Sequence, residues 1–289
     1  MAEKAVIRLA AAAYPIESLK TMAALCAKLD AWVREAAEAG AEIAVFPEYA
    51  GMEPALVGGT TPEDWLEAAA GLVPAYRDHL AGLARAHEIA ILTGSCPERV
   101  GGALRNRAWF CLPDGTMSPV DKRVLTPWER ANTAMEPGDS LAAFDTPWGR
   151  IGIVICYDSE FPRLVRALGC DVLLVPACTE GLSGQGRLRI AAQARALENQ
   201  CVTVHAPLLG QTYCPYVDTN TGQAGIYTPP DRGLPADGVL AQGVLNRPGW
   251  VIADAPLGLV KARRSDGEAT LRSDWDDGTY EVVATPLSL

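Results

Sequence analysis

The stretch IGIVICYDSEFP, residues 151–162, decides how this chain is read. It opens as an unbroken apolar run and ends in Tyr157-Asp158 and a charged turn. A short continuous apolar run of that length reads as a strand buried on both faces rather than a half-exposed one. The residues after it, from about Phe161 to Leu168, have helical character, and DVLLVPA (171–177) is a second buried run. A strand, a helix and another buried strand make an α/β unit in which helices cover the faces of a largely parallel sheet.

Outward from that unit the same alternation recurs. AVIRLAA (5–11) predicts a first strand, and residues 17–39 predict a helix that stops at Gly40. AEIAVFPE (41–48) is a short strand broken by Pro47. Thr61-Pro62-Glu63 is a capping start for a helix running to about Ala86. EIAILTGSC (88–96) follows as a strand, and LRNRAWFCL (104–112) and TMSPVDKR (116–123) flank a Pro-Asp-Gly hairpin turn. SLAAFDTP (140–147) and GRIGIVIC (149–156) form a second hairpin, so the sheets are expected to be mixed. A long helix over about 185–199 leads to the strand CVTVHAP (201–207), and GWVIADAP (249–256) is the last clear strand. No composition break or linker divides the chain, which is taken as one domain over 1–289 with its core at about 5–260. The tail 261–289 is a candidate for a subunit interface.

The 289 residues are 49% hydrophobic and 21% charged, with a net charge of −10 and no Lys/Arg run. That balance disfavours nucleic acid and anionic membrane surfaces as partners. The first residues lack the basic-then-apolar pattern of a leader, and no apolar run reaches the roughly 18 residues of a membrane span. A cytoplasmic location is therefore expected. None of the eight cysteines forms C-x-x-C, and the three histidines lack metal-ligand spacing, so no metal site is expected.

Ligand sites in α/β folds gather beyond the carboxyl ends of strands. Three reactive side chains sit at such ends: Glu48 after AEIAVFP, Lys122 after MSPVD, and Cys156 after IGIVI. Taken singly, each has an ordinary reading as a loop carboxylate, an edge-strand charge or a small buried hydrophobe. Together they supply what acyl transfer needs. A thiol attacks a carbonyl carbon, a carboxylate takes its proton, and a cation holds the oxyanion. A helix starting just after Cys156 is expected to lower the thiol pKa through its free N–H groups. Whether the three segments meet is a matter for tertiary structure.

The residues resemble the nitrilase superfamily of carbon–nitrogen hydrolases. Its three signatures occur in order as VFPEYA around Glu48, DKRVLTPWE around Lys122 and GIVICYDSEFPRL around Cys156, with further likeness in DVLLVPA and RALENQ (195–200). The resemblance implies a four-layer α-β-β-α sandwich with two mixed β-sheets. It implies that Cys156 is the nucleophile, Glu48 the general base and Lys122 an oxyanion donor beside the backbone N–H of Tyr157. Glu129, in TPWE, matches a second glutamate that orients substrate and lysine. It also implies no cofactor, a small-molecule amide substrate, and a homodimer or higher homo-oligomer joined through helices near the site.

Cys156-Tyr157-Asp158 is the pattern typical of amidases in this superfamily, where Cys-Trp-Glu accompanies nitrile hydrolysis. A small linear amide is therefore the favoured substrate. N-carbamoyl amines and nitriles are the alternatives within the same triad; an acyltransferase or a nonhydrolytic ligand-binding relative is the alternative of another class. Relatives acting on dicarboxylate monoamides often carry arginine where this chain has Glu160, which weakens an ω-amidase reading. Glu160 is expected to serve as a helix N-terminal carboxylate. Trp128, Cys178 and Thr179 are expected near the acyl group, the last two opening the stretch CTEGLSGQGRLR (178–189).

Overall fold

The computed structural model of the protein describes residues 4–57, 61–276 and 278. In chain order its elements begin with β1 (Ile7–Pro15), α1 (Met22–Glu38), β2 (Ile43–Val45) and α2 (Pro62–Ala86). The hairpin strands β3 (Ala90–Val100), β4 (Ala103–Cys111) and β5 (Met117–Asp121) follow, then α3 (Pro127–Asn132). The second half holds β6 (Ala142–Thr146), β7 (Gly149–Ile153), α4 (Pro162–Leu168), β8 (Val172–Ala177), α5 (Leu182–Asn199) and β9 (Val202–Gln211). Short strands β10 (Thr219–Asn220), β11 (Gly225–Tyr227) and β12 (Val239–Gln242) precede β13 (Gly249–Ala255), α6 (Leu257–Asp266) and α7 (Leu271–Asp274). The alternation read from the sequence is present, with shifted ends. The first strand runs on to Pro15, and the strand before the cysteine stops at Ile153. The helix α3, the eight-residue 3₁₀ segment Ala50–Val57, α6 and α7 were not anticipated.

Two sheets carry the fold. One has the order β5-β4-β3-β2-β1-β13 and the other β6-β7-β8-β9-β11-β12. Each has a parallel centre, β1-β2-β3 and β7-β8-β9, with antiparallel strands outside it. They join at one corner, where Tyr14 and Pro15 pair with Leu208 and Leu209. Leu9, Ala11, Ile43, Val45, Leu92 and Phe110 of the first sheet pack against Ile153, Val172, Leu174 and Val204 of the second. The alternate residues Ala10, Ala12, Tyr14, Ala44 and Phe46 face outward onto Leu25, Leu29 and Val33 of α1 and Leu66, Val73 and Leu80 of α2. Ala192 and Ala196 of α5 cover Tyr227 on the outer face of the second sheet. The result is the expected α-β-β-α sandwich. β2 and β8 read as continuous apolar runs because both of their faces are buried, and each large aliphatic side chain so buried contributes about 1.5–3 kcal/mol.

Strand direction brings the reactive ends together. β2 and β3 are parallel; β4 reverses direction and β5 reverses again. The exit of β5 at Lys122 therefore lies at the same end of the sheet as the exit of β2 at Glu48. Gly94 (φ +72°) lets β3 approach the backbone there: a Cβ at this position would lie 2.0 Å from the carbonyl oxygen of Pro47. The described part of the tail folds onto its own chain, with the Arg272 guanidinium donating to the carbonyls of Gly169 (2.7 Å) and Cys170 (2.8 Å). The rest of the proposed interface tail, 277 and 279–289, lies outside the described residues.

Candidate active site

Cys156 opens a one-turn 3₁₀ segment, Cys156–Glu160, directly after the strand exit. Its φ of +49° is unusual for a residue with a side chain, as is the +61° of Tyr49 next to Glu48. Such backbone strain persists only where surrounding contacts over-determine it. Here the clamp is Asp158. Its buried carboxylate accepts from the backbone N–H of Ile155 (3.2 Å), Arg123 (3.0 Å) and Val124 (2.7 Å). One side chain thus ties the cysteine turn to the segment just after Lys122. Ser159 donates its hydroxyl to the Cys156 carbonyl (2.8 Å), and Arg195 of α5 donates to the Ser159 carbonyl (3.1 Å).

Lys122 is 2% exposed, and its ammonium donates to Glu48 Oε1 and Glu129 Oε1, each at 2.8 Å. Glu129 is not a surface loop carboxylate. Thr126-Pro127-Trp128-Glu129 forms a capping box at the start of α3. Glu129 N–H donates to Thr126 Oγ1 (3.1 Å), and Thr126 N–H donates to Glu129 Oε2 (2.6 Å). Oε1 is left for Lys122 and for the Tyr49 hydroxyl, which donates at 2.8 Å. The cap therefore orients the carboxylate that receives the lysine. Glu48 Oε1 also accepts from Asn106 Nδ2 at 2.9 Å, and its carboxylate lies near enough to the Cys156 thiol for each to bear on the other's proton affinity. The thiol also reaches the Cys178 carbonyl, 3.4 Å from Sγ.

Electrostatics follow from burying two carboxylates, one ammonium and one thiol together. Burial pushes the Glu48 carboxyl up and the Glu129 charge adds to this, against the pull of Lys122. Burial also favours the neutral acid at Glu129, but Lys122, Thr126 N–H and the Tyr49 hydroxyl outweigh it and hold this carboxyl below its usual range. Burial likewise favours a neutral Lys122, but the two glutamates override it and keep the ammonium well above its ordinary value. The Cys156 thiol is pushed well up, first by burial and then by Glu48. This corrects the expectation of a thiol acidified by a helix start. The one-turn segment does not offset desolvation beside a carboxylate, so the resting thiol is neutral and its proton needs an acceptor.

These groups form the floor of an open cavity of about 440 Å³. Glu48, Lys122, Glu129 and Cys156 line it, as do Tyr157, Trp128, Cys178 and Thr179. Cys178 donates its thiol to Asn220 Oδ1 (3.0 Å), and Thr179 donates its hydroxyl to the Thr221 carbonyl (2.6 Å). Trp128 stands edge-on to Tyr216 with ring centroids 5.0 Å apart. Glu160 sits just before the start of α4, at the helix N-terminal position expected of it. The N-cap of α4 is Phe161, which has no side-chain cap bond, while Glu160 lines the cavity and pairs with Arg187 Nε at 3.2 Å.

Asn106, Tyr49, Asp158 and Tyr216 were missed in the sequence. For Asn106 a signal existed: on β4 it alternates onto the buried face shared by Leu104, Ala108 and Phe110, where a polar side chain needs a partner. Tyr49 and Asp158 sit inside the quoted motifs, yet their partners are distant in sequence. Nothing local marks Tyr216.

Comparison with known proteins agrees with this architecture. The family model described as Carbon-nitrogen hydrolase matches residues 8–226. A probable hydrolase, YhcX of Bacillus subtilis, is 28% identical over 281 residues, which is 96% of this chain but only 55% of that protein. The chain thus spans about half the length of that relative. A deaminated glutathione amidase of Synechocystis is 32% identical over 232 residues, 74% of this chain and 79% of that protein. Among solved structures, the C. elegans NitFhit protein superposes with a TM-score of 0.76 at 22% identity, covering 92% of this chain and 64% of that one. A sandwich whose strand exits converge on a thiol, an ammonium and two carboxylates, with a family match over most of its length, makes this chain a member of the carbon–nitrogen hydrolase family.

Proposed function

We propose that the protein hydrolyses the carbon–nitrogen bond of a small linear amide through a thioester on Cys156. One observation carries the reading: a buried ammonium pinned between two carboxylates, sharing one open cavity with the Cys156 thiol. Glu48, its proton affinity raised by burial, takes the thiol proton as sulfur attacks the amide carbon. The carbonyl oxygen gains charge beside Lys122 and the Tyr157 backbone N–H, and Glu129 holds the lysine in place. The C–N bond then breaks, ammonia leaves with the proton returned from Glu48, and a thioester remains. Glu48 next deprotonates water; hydroxide adds to the thioester, the C–S bond breaks as the leaving sulfur takes the proton back from Glu48, and the carboxylic acid departs. The cycle regenerates every group it uses and consumes only water.

A 440 Å³ cavity suits a small ligand. N-carbamoyl amines and nitriles remain substrates the same triad can serve, and transfer of the acyl group to an amine differs only in the second nucleophile. The test is ammonia release from a panel of simple amides, carbamoyl compounds and nitriles, with and without prior iodoacetamide. It is paired with mass spectrometry for an acyl adduct on Cys156. Release blocked by alkylation is expected. No release and no adduct from any member would overturn the proposal in favour of a ligand-binding relative.

The protein is proposed to act as a homodimer. Leu182, Ile190 and Leu197 of α5 are 66%, 61% and 42% exposed along a helix that also lines the cavity, and a second copy would cover them. A cytoplasmic site of action fits the eight free cysteines, and no described helix is long and apolar enough to cross a membrane.

A further inference from the structure

Asn106 stands outside the motifs and does not line the cavity, yet it touches two members of the reactive cluster. Its Nδ2 donates to Glu48 Oε1 at 2.9 Å, and its backbone carbonyl accepts from Lys122 N–H at 2.8 Å. It is 1% exposed. Its own Oδ1 is buried with no hydrogen-bond partner among the described residues. An orphaned buried amide oxygen is destabilising, and an apolar residue on this alternating strand face would avoid it. The site retains a stability defect at the position where, among the described residues, a side-chain amide N–H reaches Glu48.

The consequence lies in how the two Glu48 oxygens divide their work. Lys122 and Asn106 both donate to Oε1. With that oxygen doubly engaged, the carboxylate plane is pinned and Oε2 is left to receive a proton. Two donors on one oxygen also stabilise the anion and counter the burial that would otherwise keep the acid protonated.

We infer that Asn106 is a positioning residue that fixes which oxygen of Glu48 acts as the base and keeps that carboxylate ionised at neutral pH. The inference rests on the reading of Glu48 as the base for Cys156. The charged and titratable groups facing Glu48 are Lys122 from the end of β5, Glu129 from α3, Cys156 from the turn after β7, Cys178 after β8 and Tyr49 beside it. None of them is altered by changing Asn106, and the backbone bond to Lys122 survives any side-chain substitution.

The test compares the wild-type protein with Asn106→Ala and Asn106→Asp. Two pH profiles are measured: kcat/KM for an amide from the panel, and the rate of Cys156 alkylation by iodoacetamide read by mass spectrometry. The alkylation profile needs no turnover, so it reports on Asn106 even if no amide is hydrolysed. In Asn106→Ala the acid limb of both profiles is expected to move up by about one pH unit, a tenfold rate loss on the acid side. In Asn106→Asp it moves further, because a second carboxylate faces Glu48. The melting temperature of Asn106→Ala should stay close to wild type, since the orphaned oxygen leaves with the side chain. If one variant fails to fold, the other decides. Acid limbs that coincide with wild type in a folded variant would overturn the inference while leaving the amidase proposal standing.

Discussion

Replacing Glu129 by glutamine tests the charge arrangement most sharply, because it keeps shape and removes one charge. In the native site Oε2 accepts from Thr126 N–H, while Oε1 accepts from Lys122 and the Tyr49 hydroxyl. A glutamine keeps the capping box only by turning its oxygen to Thr126. Its amide NH₂ then faces Lys122 and Tyr49. The tyrosine hydroxyl can rotate to accept, but an ammonium has no acceptor to offer. One charge-assisted hydrogen bond is lost, worth about 1.5–3 kcal/mol, or roughly 10- to 150-fold in kcat if it holds the lysine in the transition state. KM should change little, because the lysine meets developing charge rather than resting substrate. The pH profile carries a second, independent signature. The Glu129 charge pushes the Glu48 carboxyl up, so its removal lowers that pKa and moves the acid limb of kcat/KM to lower pH. Steady-state ammonia release across pH 5–9 reads both effects. A kcat within threefold of wild type, or an acid limb displaced upward, would refute the account. The displacement is opposite to that expected for Asn106→Ala, so two neighbours of one carboxylate should move it in opposite directions.

Cys156→Ala should abolish ammonia release while melting like wild type, whereas Cys178→Ser should keep most activity; loss in the second and retention in the first would mean the wrong thiol was assigned. Asp158→Asn can satisfy Ile155 and Arg123 through one oxygen but turns an NH₂ toward Val124 N–H. It should cost about 1–3 kcal/mol in urea unfolding and lower activity as the cysteine turn loosens; a variant unchanged in both would remove the clamp from the argument. Burial depresses the His205 imidazole to about 4. A group depressed on folding stabilises the fold above its unfolded value near 6.5 and loses that contribution as pH falls toward 4, here about 2 kcal/mol between pH 8 and pH 5. His205→Asn should flatten that part of the urea-unfolding pH dependence, and an unchanged slope would show that the imidazole is not the cause.

The layering and the order of strands and helices were legible in the chain because burial leaves a periodic record. Strands covered on both faces, such as Ile43–Val45 and Val172–Ala177, must be apolar at every position, and α1 and α2 must be apolar on one side. Glu48 and Cys156 were legible for a related reason, since a reactive group directly after an apolar run lies at a strand exit; Lys122 was legible from its place at the end of a hairpin strand. Glu129 was recognisable from its motif, but its burial was not. A capping box and a lysine ligand look alike in TPWE, and here one carboxylate serves as both. Tertiary structure decided everything that depends on distance between far segments. Asn106 reaches Glu48 across 58 residues, and Asp158 ties Cys156 to the segment after Lys122 across about 35. It also decided the protonation of the thiol, since local sequence shows the helix start that would acidify Cys156 but not the burial and the carboxylate that override it. Local sequence encodes which face of an element is dry; only the packed fold sets which polar groups must share that dry space, and so which of them hold protons.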